Sequence, residues 1–253
     1  FKWLWAAIQG NFGYSFNSRS PVSDLILQRL PATLWVIGSG YLHSVLLALP
    51  LGNLSSIKKG TIVDWLITSL AFVGFSLPTF FTGLLMILIF SVYLDWVPFI
   101  YNSTLVVTDW SSFLTLVRQS ILPLLVLSLF QTAILMRFIR TAIAEELPQE
   151  YVRTARAKGL SRSRILGVHI LRNASIPVVT LLALDIPSLF TGSLVLEQVF
   201  RIPGMGALLI DSINRSDTPV VMAVSFIYAV LVVLFNLVAD VLYGWLDPRV
   251  RLG

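Results

Sequence analysis

Residues Glu150–Pro177 read EYVRTARAKGLSRSRILGVHILRNASIP, a basic, helix-compatible segment held between two apolar runs. Those runs are LPLLVLSLFQTAILMRFI (122–139) before it and TLLALDIPSLFTGSLVL (180–196) after it. At 1.5 Å per residue each is long enough to cross a hydrocarbon layer of roughly 30 Å. Ordinary globular packing has no use for so basic a segment between two such runs. The chain therefore reads as a bilayer protein, all-α and polytopic, with a docking surface between two of its spans.

Composition agrees. The chain is 56% hydrophobic and 12% charged, against roughly 25% charged in soluble domains, and its mean hydropathy is +0.83. Seven Trp and seven Tyr suit bilayer interfaces, where amphipathic rings collect. With no Cys, disulfides and thiolate metal sites are excluded.

Five spans are expected, at about Pro31–Leu51, Val63–Tyr93, Ile121–Arg140, Ile176–Leu196 and Pro219–Leu242. The second is longer than a straight span requires and holds Pro78 after Gly74, so it is tilted, kinked or wet at one end. Basic residues orient the set, because short loops rich in Lys and Arg stay cytoplasmic. One side carries Lys58, Lys59, Arg140, Arg153, Arg156, Lys158, Arg162, Arg164, Arg172, Arg249 and Arg251; the other holds Lys2, Arg19, Arg29, Arg118, Arg201 and Arg215. The N-terminal segment is thus expected outside and the C-terminus in the cytoplasm. The same bias accounts for the net charge of +5 and suits anionic lipid headgroups, with no need of nucleic acid. An odd span count with an external N-terminus leads to the expectation of a further, upstream helix.

Two regions are expected, an external lead-in at 1–28 and a five-helix membrane domain at 29–253 that includes a cytoplasmic loop at 141–175. The lead-in FKWLWAAIQGNFGYSF (1–16) reads as an interfacial amphipathic segment. GNLSSIKKGTIVDW (52–65) is a short basic turn, and Asp95–Gln119 is a polar external loop with room for a short helix. In the main loop, Pro148 suits a first helical position, Glu150 the positive helix end, and Arg156 and Lys158 the negative end. Gly159 closes this helix. Ser161 is placed to cap a second short helix toward Leu171, before Pro177 opens the next span. On the first helix, Tyr151, Ala155 and Lys158 share one surface, and Val152, Ala155 and Gly159 another. Such a helix suits a partner's groove, its basic residues meeting carboxylates at the rim; the plainer reading is an interfacial helix whose charges retain the loop inside.

The chain resembles the inner-membrane permease subunits of dipeptide and oligopeptide ABC importers, the binding-protein-dependent branch that includes nickel and glutathione importers. The likeness covers essentially the whole sequence. It is carried by YVRTARAKGLSRSRILGVHILRNASIPVV (151–179), EQVFRIPGMGALLIDSINRSDTPVV (197–221), LVADVLYGWLDPRVR (237–251) and GNFGYSFNSRSPV (10–22). It implies a type I permease fold of six spans, the first lying upstream of Phe1. It also implies that Glu150–Leu160 is a coupling helix seated in a cytoplasmic ATPase, with Glu150, Tyr151, Arg153, Thr154, Ala155, Arg156, Lys158, Gly159 and Leu160 as its residues. Against the general Glu-Ala-Ala…Gly loop pattern, Arg153 and Thr154 depart from the generic letters, agree with the peptide-permease variant, and are followed by Ala155 and Gly159. The partners implied are a second permease subunit, two ATPase subunits and an external substrate-binding protein. The residues agree that ATP and Mg belong to the ATPases: this chain has no GxxxxGK[ST] phosphate loop, so no cofactor or metal is assigned to it and it is no enzyme.

Polar residues within the apolar runs are pathway candidates or interhelical links. Asp185, just before Pro187, is the sharpest: a pore carboxylate for a substrate amine, or a hydrogen-bond partner for Thr180, Ser188 or another subunit. Gln131 and Asn236 are pathway candidates with the same alternative. His43 reads as a buried, neutral histidine bonded to a neighbouring helix, and Asp240 as structural. Phe200, Pro203, Gly204 and Met205 of FRIPGMG (200–206) are expected in a turn that touches the delivering protein. Gly83 and Gly192 are read as close helix crossings. Two other classes stay open, an ion-coupled secondary transporter, with Asp185 and Pro187 as its only hint, and a non-transporting membrane scaffold.

Overall fold

The structure, a computed structural model, describes residues 2–246, the side chains of Thr191, Gly192 and Leu246 excepted. The helices are α1 (Lys2–Ile8), α2 (Val22–Ile57), α3 (Ile62–Ser76), α4 (Thr79–Met86, continued by a π-helical turn over Ile87–Tyr93), α5 (Trp110–Glu146), α6 (Glu150–Ala157), α7 (Arg162–Arg164, continued by a π-helical turn over Ile165–Ile170), α8 (Leu171–Val199), α9 (Met205–Asn214) and α10 (Thr218–Leu246). Among the described residues, four helices are long and apolar enough to cross a membrane, or five spans if the broken pair α3 and α4 counts as one. The fold is all-α and multi-span, as the apolar runs require.

Several boundaries differ from the sequence reading. The second span breaks at Leu77, which takes extended backbone (φ −91°, ψ 131°) directly before Pro78. The ring of a proline disfavours helical geometry in the residue before it, so the kink expected there is a full break. α2 starts at Val22, inside the stretch read as lead-in. The short helix expected between Asp95 and Gln119 is instead the first part of α5, which runs unbroken past Pro123. Asp109 opens it, accepting the Ser112 N–H at 2.7 Å; these bonds hold its pKa below the usual carboxylate range. The second short helix of the main loop is also absent as a separate element. α7 leads through the π-helical turn into α8, and Pro177 lies inside that helix. Arg249, Arg251 and the C-terminus lie outside the described residues, as does any side-chain account of Gly192.

The chain forms two compact units. One comprises Phe1–Tyr41, Pro78–Leu127 and Pro187–Val233. Its interior holds a cluster of Val36, Val97, Tyr101, Leu122, Val126, Leu127, Leu196, Phe200 and Ile202, and a second of Val22, Ile26, Met205, Leu208, Val220, Ala223 and Val224. Gly83 lies against Val199 and Phe200 so closely that a Cβ would sit 3.2 Å from Val199 Cγ1, the tight crossing expected of it.

The other unit comprises Leu42–Leu77, Ser128–Ile186 and Leu234–Gly253. Here Gly52 touches α5, where a Cβ would meet Ile139 Cγ2 at 2.8 Å, and Phe75 stacks on Phe130. An ion pair ties α3 to α5: Asp64 accepts from Arg140 Nε and Arg140 Nη2, both at 2.9 Å, and from Ser55 and the Gly60 N–H. Asp64 sits in the first turn of α3 and Arg140 within α5, and nearly complete burial of Asp64 makes the pairing obligatory.

Much of the helical surface is apolar. In the window that qualifies α10 as a span only 17% of the residues are buried, against 56% for α5, which leaves the last helix a face for lipid or another subunit. Trp65, Trp110 and Trp245 stand exposed near helix ends, the position an interfacial aromatic belt requires.

Candidate coupling helix and pathway residues

α6 is short but sharply bounded. Gln149 occupies its N-cap position and its carbonyl accepts the N–H groups of Val152 and Arg153 at 3.0 and 3.3 Å. At the other end the Gly159 N–H bonds the Arg156 carbonyl at 2.9 Å and the Leu160 N–H reaches Ala155 at 3.3 Å. This paired closure needs a residue at positive φ, and Gly159 supplies it at +74°.

The faces of α6 are unequal. Val152 and Ala155 are buried, so that part of the surface read as Val152, Ala155 and Gly159 is turned into the chain, while Gly159 at the helix end is exposed. Arg153, Thr154, Arg156 and Lys158 are exposed. Arg153 is already paired with Glu150 at 2.7 Å. Tyr151 is half-buried and donates its hydroxyl to Glu146 Oε2 at 2.5 Å. Burial first, then the Glu146 carboxylate, pushes its pKa up to about 12, so it stays a neutral donor tying α6 to the end of α5.

Asp185 and Gln131 meet. The Gln131 amide donates to Asp185 Oδ2, joining α5 to α8, while Thr180 spends its hydroxyl on the Ile176 carbonyl at 3.1 Å. The interhelical role weighed for Asp185 is therefore present, with Gln131 as donor. Asn236 is exposed on α10, as is Asp240. His43 is exposed rather than buried, a correction that follows from its place on the outward face of α2 beside Leu42, Leu46 and Leu47.

The FRIPGMG turn is more enclosed than its sequence implied. Phe200 and Met205 belong to the two apolar clusters, Gly204 is buried and Pro203 half-buried, leaving Arg201 as the exposed side chain of the turn. Its organiser is Glu197, only 1% exposed. Thr33 donates to Glu197 Oε1 at 2.7 Å, and the Ala207 N–H donates to Oε2 at 2.9 Å. Thr33 Oγ1 in turn accepts the Met205 N–H at 2.7 Å. One carboxylate thus joins α2, the end of α8 and the start of α9.

Sequence reasoning missed Glu197, the Asp64–Arg140 pair and Asp217. Asp217 is buried and receives Ser15, the Phe16 N–H and Asn17. The available signal was a lone carboxylate beside an apolar run, which demands a partner. The partners lie 164, 76 and 202 positions away in sequence, beyond any local spacing rule.

Fold and side-chain placement together define a polytopic helical membrane protein. Residues 45–252 match the family described as binding-protein-dependent transport system inner membrane component. The chain is 42% identical to the oligopeptide transport system permease protein AppB of Bacillus subtilis (strain 168), over 99% of this chain and 79% of that protein. It is 34% identical to the dipeptide transport system permease protein DppB of Escherichia coli (strain K12), over 98% and 79%. Identity to the glutathione transport system permease protein GsiC of Escherichia coli O1:K1 / APEC is 38%, over 97% and 76%. The chain belongs to this family, as an inner-membrane permease subunit of the ABC importer type. Two solved structures share the fold: the MetNI methionine ABC transporter in inward-facing conformations, with TM-score 0.68, 16% identity and coverage of 88% of this chain and 96% of that one, and an amino acid ABC transporter with histidines, with TM-score 0.66, 15% identity and coverage of 87% and 94%.

Proposed function

We propose that the chain is half of the translocation pathway of an ATP-driven importer of dipeptides or oligopeptides. The observation that carries the coupling part of this reading is α6, a helix anchored inward by Val152 and Ala155 and presenting Arg153, Thr154, Arg156 and Lys158 outward. The substrate class rests on relatives named for oligopeptide, dipeptide and glutathione transport.

In this reading Glu150–Leu160 seats in a groove of a cytoplasmic ATPase, where Mg and ATP are bound. Tyr151, Ala155 and Leu160 hold the helix to its own chain, Gly159 ends it, and the exposed basic residues meet the partner. ATP-driven closure of the ATPase pair moves α6, and the helices packed behind it carry that motion toward the pathway. A second permease subunit supplies the other half. The basic loops and the C-terminus face the cytoplasm. The lead-in at 1–28, the membrane domain at 29–253 and a sixth, upstream span belong to the same proposal. Asp185 with Gln131 lines or braces the pathway, Asn236 turns toward it from α10, and the external binding protein meets the turn at Pro203 through Arg201 while Phe200, Gly204 and Met205 hold the turn in shape.

The test is uptake of labelled dipeptides and oligopeptides by proteoliposomes holding the purified complex, with the binding protein outside. ATP-dependent accumulation is expected. Accumulation driven by a proton or sodium gradient without ATP would overturn the reading in favour of a secondary transporter.

A further inference from the structure

α6 packs on the π-helical turn that follows it, and behind it lies a cavity of about 420 Å³. Its floor is apolar: Ile165 and Ile170 are buried, and Ile57, Leu147, Leu160 and Leu166 half-buried. The two exposed residues of its lining are Arg156 and Arg162, which mark the mouth, and neither has a carboxylate partner among the described residues. Arg156 also belongs to the outward face of α6, so a partner seated on that face already stands at the mouth. From Arg162, α7, the π-helical turn and α8 run on as one helix of membrane-spanning length, and Asp185 lies on it. π-helical turns recur at functional sites.

We infer that the ATPase partner fills this cavity, inserting a large apolar side chain onto Leu160 and Leu166 with a neighbouring Asp or Glu on Arg156 and Arg162. This rests on the proposal that Glu150–Leu160 docks in a cytoplasmic ATPase, and adds a reciprocal contact to it: the helix enters the partner's groove, and the partner enters the cavity behind the helix. The lining selects such an occupant. A free anion would satisfy the two guanidinium groups and leave the half-buried leucines wet, whereas an apolar side chain beside a carboxylate answers both. Seven of the eight lining residues belong to the loop at 141–175 read as cytoplasmic, and the eighth, Ile57, is followed by Lys58 and Lys59. The cavity therefore lies beyond the ends of the expected spans, on the side where the proposal puts the ATPase. The contact has a mechanical consequence. α6 is joined to the next helix by the turn at 158–161; a side chain wedged between the two makes them move together, and the ATPase then acts directly on the span that carries Asp185.

The test uses the complex purified with its native partner subunits. A diazirine-bearing aliphatic residue close to leucine in size, placed at position 166 and photoactivated, should capture a peptide of the ATPase in which a large apolar residue neighbours Asp or Glu. Leu166→Trp, which fills the cavity with every charge intact, should lower the ATPase retained on the chain about tenfold, the loss expected when an anchor residue is refused its pocket. Arg162→Glu should do the same and Arg162→Lys should keep most of the retention. Val168→Trp, exposed on the same turn and outside the lining, should change nothing. Capture of lipid or of this chain alone at position 166 would overturn the inference, and so would normal ATPase retention in both Leu166→Trp and Arg162→Glu. An equal loss from Arg164→Glu, also outside the lining, would overturn the carboxylate contact by showing a response to net charge. Failure of the underlying reading looks different, because there the wild-type chain retains no ATPase. Here the wild type retains it and Lys158→Glu weakens it, while the cavity variants leave it unchanged. If Leu166→Trp fails to fold, photocapture and Arg162→Glu still decide.

Discussion

Thr33 stands between Glu197 and Met205, donating its hydroxyl to the carboxylate at 2.7 Å while accepting the Met205 N–H at the same distance. Around this pair Gly204 and Gly206 leave room for the carboxylate and nothing more; a Cβ on Gly204 would overlap it, and one on Gly206 would lie 2.9 Å from Oε2. Glu197 has no freedom to yield, because both its oxygens are hydrogen-bonded. Gly204→Ala should therefore destabilise the detergent-solubilised protein by about 1–3 kcal/mol. Glu197→Ala should cost a similar amount by leaving the Ala207 N–H unpaired. In the double variant the overlap is gone, so the two losses should sum to less than their separate values, measured as a double-mutant cycle in thermal unfolding. Simple additivity would show that Gly204 is small for some other reason.

Asp64 and Arg140 predict a different pattern. Removing one partner of a buried pair strands the other charge, so Asp64→Ala and Arg140→Ala should each destabilise by about 3 kcal/mol. The paired replacement Asp64→Leu with Arg140→Met should recover much of that, because an apolar pair strands no charge. Recovery is read as the yield of monodisperse protein after heating.

Asp217 gives stability a pH dependence. Burial works against its charged form, but the bonds from Ser15, the Phe16 and Asn17 N–H groups and the Asn17 side chain outweigh it and hold its pKa below the ordinary 3.8. A folded-state value below the unfolded one means the contribution is present above the unfolded value and is lost as pH falls through the folded one. The stability gap between wild type and Asp217→Asn should be constant from neutral pH down to about 4 and close below it. A gap that stays open in acid would show that the carboxylate charge is not what the lead-in segment binds.

The membrane class, the placing of the spans and the basic helix were legible because each depends on local pattern: apolar runs of sufficient length, Gly159 at a helix end, and Glu150 and Arg156 on opposite ends of one short helix. The break at Leu77 was half legible, since Pro78 marks a defect without fixing whether the helix bends or stops. Pro123 and Pro177 show the converse, lying inside continuous helices that neighbouring packing sustains. The polar locks were illegible for a physical reason. Hydrogen-bond partners such as Thr33 for Glu197 and Arg140 for Asp64 are chosen by three-dimensional packing, and no period along the chain encodes them. His43 misled because an isolated polar residue in an apolar run reads the same whether its helix face is turned inward or outward.

The exposed residues of α6 separate two ways of reading its charge. Arg153 is held by Glu150 at 2.7 Å, whereas Arg156 and Lys158 have no carboxylate partner among the described residues. A partner with acidic groups around its groove would therefore feel Arg156 and Lys158 first. Arg156→Glu and Lys158→Glu should each lower the amount of ATPase subunit that co-purifies with the chain by roughly a factor of ten, and Arg153→Glu by less, since its charge is already partly neutralised. Val152→Asp should act otherwise, placing a carboxylate in a fully buried position and reducing the yield of folded chain before any partner is added. Equal loss for all three charge reversals would mean that the helix answers to net charge alone. No loss for any of them would leave the basic residues as topological signals that keep the loop on one side of the membrane.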